Sequence, residues 1–253
     1  MGLIIGDGCF RNKDLANNVY FTSSYEDIIT YESIVPYNIK HLKTDKEFFI
    51  NIPNVKYKLQ EYGLHMLKSE DKFIPDDYKF NSRRVRLDIL KGLMDSDGTV
   101  TNGIPVLSTA SKRLADDVAF IARSLGYNCV IRTKRNRGYR KNNQFIKCLD
   151  AYEVRIFTND KIFNLKRKYE KLTDFSSKYS RSNKESTTIV DIQFSHRERC
   201  KCVTVDNESN CYLVGDFVTT HNSYSLAALL AKRFILGENK ETTKEVKCLV
   251  TAY

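Results

Sequence analysis

The chain has 253 residues, 42% of them hydrophobic, and a formal charge of +10. That apolar content sustains a packed core and excludes wholesale disorder, while the lack of any apolar run of about 18 residues excludes a membrane-spanning helix. The first apolar run, Gly2–Gly6, is too short for a secretory signal and lacks a basic start, and the seven cysteines form no disulfide framework; both point to a reducing setting, the cytoplasm of a prokaryote or of a phage-infected cell.

In chain order, residues 1–80 read as mixed helix and strand. A helix is expected over Ser82–Ser96, with Ser82 as N-cap and Val85, Leu87, Leu90, Leu93 and Met94 at near-helical spacing. Strands are expected at Ile104–Leu107 and Val130–Thr133, and between them an amphipathic helix, Leu114–Leu125, stopped by Gly126. A strand at Tyr152–Phe157 and a helix at Lys161–Leu172 follow. The segment Asp174–Ser186 is rich in serine and charge and reads as a linker. Short β-like runs come next, at Thr187–Phe194, Cys200–Val205 and Tyr212–Val218. Residues 223–236 return to helical periodicity, and Val246–Ala252 reads as a buried strand.

The positive charge is concentrated. From Arg123 to Lys171 there are 14 Lys/Arg against 4 Asp/Glu, a local excess of +10 that equals the imbalance of the whole chain. Such a stripe is expected to meet a polyanion, in the first place double-stranded DNA; the alternative is a solubilising surface. Arg132, Lys134, Arg135, Arg137, Arg140 and Lys141 are dense in it, with Tyr139 interleaved, and are the candidate phosphate contacts.

An internal repeat carries the chemistry. Gly2-Leu3-Ile4-Ile5-Gly6-Asp7-Gly8 recurs as Gly92-Leu93-Met94-Asp95-Ser96-Asp97-Gly98, with Asp7 and Asp97 90 residues apart. Each copy reads as a helix end. Gly2 and Gly6, like Gly92 and Ser96, sit four apart on one face, where small residues let two helices approach closely. Gly8 and Gly98 are expected to stop the helices in a left-handed conformation. Asp7 and Asp97 then lie at C-terminal ends, where the helix dipole disfavours a carboxylate unless a cation is present. Two such ends side by side make a hard oxygen site suited to Mg²⁺, and metal-activated water attacking a phosphodiester follows from that chemistry. A lone Asp-Gly marks an ordinary turn; the second copy argues against that. The first motif begins at Met1, so its helix is short, and so short a helix is marginal alone.

The run Leu90-Lys91-Gly92-Leu93-Met94-Asp95-Ser96-Asp97-Gly98 resembles the LAGLIDADG signature of homing endonucleases carried by inteins. Lys72-Phe73-Ile74-Pro75 resembles the approach to the family's second motif, and Ser108-Thr109-Ala110-Ser111-Lys112 and Arg123-Ser124-Leu125-Gly126-Tyr127 the segment after it. The resemblance implies an α/β (α+β) fold of two pseudo-symmetric αββαββ repeats, whose two motif helices form the central interface and whose sheets read a long DNA site. It assigns the catalytic metals to Asp7 and Asp97 and a polarising lysine to Lys72, with Lys168 as the second lysine. The bland alternative for Lys72 is a solvated surface lysine.

Thr219-Thr220-His221-Asn222-Ser223 is a second signal. An asparagine cyclises when its side-chain nitrogen attacks its own carbonyl and expels the next residue; a neighbouring histidine assists, and a following serine supplies a nucleophilic hydroxyl. The triplet alone fits a polar turn. Its context, Cys200-Lys201-Cys202-Val203-Thr204-Val205-Asp206 and then Tyr212-Leu213-Val214-Gly215-Asp216-Phe217-Val218, resembles the last two splicing blocks of inteins, which implies a β-rich C-terminal splicing fragment and catalytic roles for His221, Asn222 and Ser223. Cys202 stands where many inteins have Asp, and Asn210 where a His is frequent. Cys200 and Cys202 share a strand face and raise zinc, with His196 or Cys211, but no second spaced pair exists. The N-terminal splicing blocks are not in the sequence, so either an upstream intein half is the partner or the reading frame is truncated.

Beyond the junction, the helical run from Ser223 to Lys232 and the strand at Cys248–Thr251 suit the end of a P-loop and resemble the ATPase of phage terminase large subunits. The expected organisation is a first repeat at 1–80, a second at 81–175, a splicing segment at 176–222 and host sequence at 223–253. The expected function is a monomeric, Mg²⁺-dependent, site-specific double-strand DNA endonuclease within an intein. The rivals are a splicing fragment whose nuclease has decayed, and a nucleic-acid-binding module without cleavage.

Overall fold

The computed structural model describes residues 1–9, 18–41, 47–135, 138–141, 144–173, 193–194, 205–206, 208–209, 211–215 and 217–221. The chain divides into two compact units, Met1–Lys184 and Glu185–Tyr253.

The first unit contains two similar halves. The first half runs α1 (Gly2–Asp7), β1 (Asn18–Thr22), α2 (Tyr25–Ile34), β2 (Ile39–His41), β3 (Glu47–Asn51) and α3 (Val55–Glu61). A short helix, α4 (Asp76–Lys79), leads to the second half: α5 (Arg83–Ser96), β4 (Gly98–Thr101), β5 (Ile104–Thr109), α6 (Lys112–Ser124), β6 (Asn128–Lys134), the hairpin β7 (Gly138–Lys141) and β8 (Gln144–Lys147), β9 (Ala151–Phe157) and α7 (Lys166–Tyr169). The sheets are antiparallel with orders β1-β3-β2 and β4-β5-β9-β6. An isolated bridge pairs Cys9 with Tyr20 of β1. Cys9 thus takes the place in the first half that β4 takes in the second, and the two sheet orders coincide. The mixed α/β architecture of two αββαββ-like halves agrees with the sequence expectation.

Local chemistry explains the elements. Ser24, Ser82 and Ser111 each cap a helix by accepting from the backbone N–H three residues on, satisfying donors that the helix start leaves orphaned. Gly126, at φ +89°, ends α6 as expected. Each half buries its own core: Val19, Phe21, Ile28, Phe48, Ile50 and Leu59 in the first, Leu90, Leu93, Leu107, Val118, Val154 and Ile156 among those in the second.

Three expectations need correction. The helix expected over Lys161–Leu172 is reduced to α7, Lys166–Tyr169. Leu165 is extended, at φ −69° and ψ 117°, and the backbone N–H groups of Asn164 and Leu165 donate to the Asp95 carboxylate instead of to a preceding helical turn, so the helix starts only at Lys166. The strand expected over Tyr212–Val218 is a hairpin in the second unit, β10 (Cys211–Val214) and β11 (Val218–His221), turned by Gly215 and Phe217 at positive φ. Gly8 does not adopt a left-handed conformation: its φ is −64°, and Gly98 is not among the positive-φ glycines. A Cβ on Gly8 would sit 2.8 Å from Ile4 Cα, and one on Gly98 2.7 Å from Met94 Cα, so glycine is required there by the closeness of the preceding helical turn.

Among the described residues no helix is long and apolar enough to cross a membrane. The runs 187–192, 200–204, 223–236 and 246–252, with His196, lie outside the described residues.

Candidate active site

The site is built on α1 and α5. A Cβ on Gly92 would lie 2.8 Å from Leu3 N and 3.0 Å from Gly2 Cα, and one on Gly6 would strike the Ser96 side chain. Gly2 therefore faces Gly92 and Gly6 faces Ser96, so the helices run in the same direction with their C-terminal ends together. The small-residue spacing does what the sequence predicts, allowing backbones to meet almost without side chains between them.

Asp7 is the last residue of α1 and Asp97 the C-cap of α5. Asp97 Oδ2 is 3.5 Å from the position of a Cβ on Gly6. Burial raises the Asp97 carboxyl above the usual aspartate range, and the Asp7 carboxylate beside it raises it further; Lys72 and Lys168 oppose both. Two carboxylates crowded at two aligned helix C-termini concentrate negative charge. Among the described residues no cluster of three or more metal-ligating side chains exists. The donor set still fits Mg²⁺, which is commonly held by one or two carboxylates, with waters and substrate phosphate oxygens completing its octahedron.

Lys72 is half-buried and its Nζ donates to the carbonyl oxygen of Gly6 at 2.5 Å, next to Asp7. It is not a solvated surface lysine. Lys168 is 7% exposed. Its Nζ lies 3.0 Å from the carbonyl oxygen of Met94, 2.5 Å from that of Asp95, 3.2 Å from that of Ser96 and 2.6 Å from that of Gly98, a collar around the end of α5. Each lysine thus reaches the carbonyl preceding one of the two aspartates. Burial, then the Arg167 charge, lower the Lys168 ammonium from its ordinary range.

Several residues that the sequence does not single out hold these groups. Asp95, 2% exposed, accepts from Asn164 N at 2.9 Å, Asn164 Nδ2 at 2.7 Å and Leu165 N at 3.2 Å. Its counterpart in the first motif is Ile5, and that difference was the visible signal. Asp27 of α2, 3% exposed, receives Arg167 through Nε and Nη2, the shortest contact 2.6 Å. A cavity of ≈ 150 Å³ beside Asp7 is lined by Asp27, Asp95, Ser96 and Arg167 among others.

The candidate phosphate contacts divide. Arg132 and Arg135 are exposed. Lys134 lies 2.5 Å from Glu153 Oε1 and is partly neutralised. Arg140 and Lys141 belong to β7, but their side chains, like Arg137, lie outside the described residues. Sequence reading missed Arg155, paired in register with Val130. Its Nε is buried with no hydrogen-bond partner among the described residues, and its Nη2 lies 4.0 Å from Glu153 Oε2. His221 closes β11; its side chain, Asn222 and Ser223 lie outside the described residues, as do Cys200 and Cys202.

Residues 84–169 match the family model described as "LAGLIDADG-like domain". A replicative DNA helicase DnaB of Mycobacterium intracellulare is 40% identical over 156 residues, 60% of this chain and 26% of that protein. A DnaB helicase of a Nostoc species is 27% identical over 181 residues, and a replication factor C small subunit of Methanocaldococcus jannaschii 26% over 183, covering 20% and 10% of those proteins. The chain therefore spans about a quarter or less of these curated relatives. Among solved structures, the homing endonuclease I-DmoI in complex with DNA and Mn is similar at a TM-score of 0.40 and 18% identity, over 61% of this chain and 85% of that one. The homing endonuclease I-WcaI bound to its DNA recognition sequence is similar at a TM-score of 0.37 and 17% identity, over 61% and 72%.

Proposed function

We propose that the chain is a site-specific, Mg²⁺-dependent double-strand DNA endonuclease, acting as a monomer inside an intein whose splicing residues are His221, Asn222 and Ser223. The observation that carries the nuclease reading is the pair Asp7 and Asp97 at two adjoining helix ends, each end held by a lysine. The family match over residues 84–169 supports it. Asp7 and Asp97 would hold the metal, which when bound supplies an acidified water and neutralises charge on the phosphate. The chain's own part is positional and electrostatic. Lys72 and Lys168 place one fixed positive charge at each helix end, where negative charge grows on the phosphate of one strand. The exposed end of β6 bearing Arg132 would track the DNA backbone, giving register without sequence information.

Residues 176–222 are read as the splicing segment and 223–253 as host sequence. The host resembles a terminase ATPase; the DnaB relatives support a second reading, insertion in a replicative helicase. In either case the work is done in the cytoplasm. If the nuclease has decayed, only splicing remains.

Asp97→Asn tests the nuclease. Incubated with Mg²⁺ and DNA carrying the uninterrupted host sequence around the insertion point, the parent should cut both strands. The variant should lose cutting by roughly a thousandfold or more while binding the same DNA, because only the metal site changes. Normal cutting by Asp97→Asn overturns the mechanism.

A further inference from the structure

The segments that carry the two lysines cross over between the halves. Ile74, two residues after Lys72, is 0% exposed and packs in the second half's core. Leu165, three residues before Lys168, is 1% exposed and packs in the first half's core. Polar anchors cross in the same way. On the second half, α6 takes hold of the Lys72 segment: Ser111 Oγ donates to the Lys72 carbonyl at 2.6 Å, and Ile74 N donates to Asp117 Oδ2 at 2.8 Å. On the first half, α2 takes hold of the Lys168 segment, because Arg167 binds Asp27 through two nitrogens. Both aspartates are buried, Asp27 at 3% and Asp117 at 7% exposure. Each is also fixed by a second partner, Ser23 Oγ for Asp27 at 3.0 Å and Lys79 Nζ for Asp117 at 2.8 Å. The helices α2 and α6 occupy equivalent places in the two halves, following β1 and β5.

We propose that Asp27 and Asp117 are reciprocal positioning residues: each half, through a buried carboxylate on its α2 or α6 helix, sets the place of the lysine contributed by the other half. Neither aspartate touches the scissile phosphate; each acts through a lysine. A buried carboxylate fits this task because it accepts directional hydrogen bonds and cannot leave its partners for water without cost. The consequence is specific. Loss of one brace should misplace one lysine and slow one strand, since small displacements of a catalytic group cost rate steeply. A general loss of packing would slow both strands and weaken binding.

The inference rests on the proposed role of the lysines, and the test separates the two. DNA bearing the target site is labelled differently on each strand and cut under single-turnover conditions with saturating enzyme and Mg²⁺. Lys72→Met and Lys168→Met should each slow a different strand. Asp27→Asn should slow the strand that Lys168→Met slows, and Asp117→Asn the strand that Lys72→Met slows, each by on the order of tenfold to a hundredfold. The opposite strand and the Kd should stay within about twofold. Arg167 is half exposed, so Arg167→Gln repeats the Asp27 arm in a variant that keeps its core if Asp27→Asn does not fold. Strand-selective lysine variants combined with aspartate variants that slow both strands alike, or neither, overturn the brace alone. Lysine variants without strand selectivity overturn the role of the lysines, and the brace with it.

Discussion

Gly92 meets Gly2 so closely that a Cβ on Gly92 would lie 3.0 Å from Gly2 Cα. The contact is backbone against backbone, with nothing flexible to yield. Gly92→Ala should therefore force α1 and α5 apart. Overpacking at such a site costs about 1–3 kcal/mol, which for a chain of this size is several degrees of Tm. Cutting should fall further than stability, because the same displacement separates Asp7 from Asp97. Thermal unfolding and cleavage of the purified variant check both parts; an unchanged Tm would mean that the helices are not in this register.

Arg132 and Arg135 are expected to meet phosphates, and Lys134 and Arg155 much less, since Glu153 already lies 2.5 Å from Lys134 and 4.0 Å from Arg155, whose side chain is only 23% exposed. Replacing these two arginines by glutamine should lower the slope of log affinity against log salt by roughly two units. Lys134→Gln should change the slope less than either of these arginines. Titrations across a range of salt decide this; an unchanged slope in the double variant places the DNA face elsewhere.

Tyr127 is 7% exposed and its hydroxyl donates to Asp160 at 2.6 Å. Burial, then that hydrogen bond, push the phenol up to about 12. An unfolded tyrosine titrates near ~10. The group thus contributes stability that is complete below pH ~10 and is lost as pH rises toward 12, on the order of 2 kcal/mol at most. Tyr127→Phe cannot ionise, so its stability should fall less steeply across that window, after an initial loss of about 1 kcal/mol from the missing hydrogen bond. Denaturant unfolding between pH 9 and 12 gives both slopes; parallel slopes would refute the assignment.

The second half was legible because its signals are local and strong. Ser82 announces a helix start, and a fourteen-residue helix such as α5 gives periodicity room to show. The first half is built from pieces as short as β2, three residues, too short for any period to declare itself. Lys72 was reached through its Ile-Pro neighbours. Asp27 and Asp117 were not, because a carboxylate on an amphipathic helix reads as a solvated face until the fold supplies Arg167 or Ile74 N. Leu165 and Ile74 show the same limit: hydrophobicity marks them as buried, but nothing in their neighbourhood says that each joins the other half's core. The helix expected over Lys161–Leu172 failed for a related reason, since the tertiary hydrogen bonds from Asn164 N and Leu165 N to Asp95 overrode a weak local preference.

The last prediction concerns the junction after β11. Val218–His221 pairs with Cys211–Val214, with His221 opposite Cys211, so the strand carries the chain directly to Asn222. In the proposed reaction the Asn222 side-chain nitrogen attacks its own carbonyl carbon. The bond to Ser223 nitrogen breaks, and the departing amine takes up a proton that His221 helps deliver. This step uses only residues at the junction, but the proposed upstream intein half completes the fold that holds them. Ligation also needs an upstream segment, which the Ser223 hydroxyl accepts. The purified chain should therefore stay mostly intact, with slow release of residues 223–253. Addition of a matching upstream intein half should produce ligation through Ser223. Asn222→Ala should block release in both situations, while Ser223→Ala should block ligation and permit cleavage. Mass spectrometry separates these outcomes, because a cyclised end is one water lighter than its hydrolysed form. Release at the parental rate from Asn222→Ala would make His221-Asn222-Ser223 an ordinary turn and end the splicing reading, whatever the DNA cleavage assay shows.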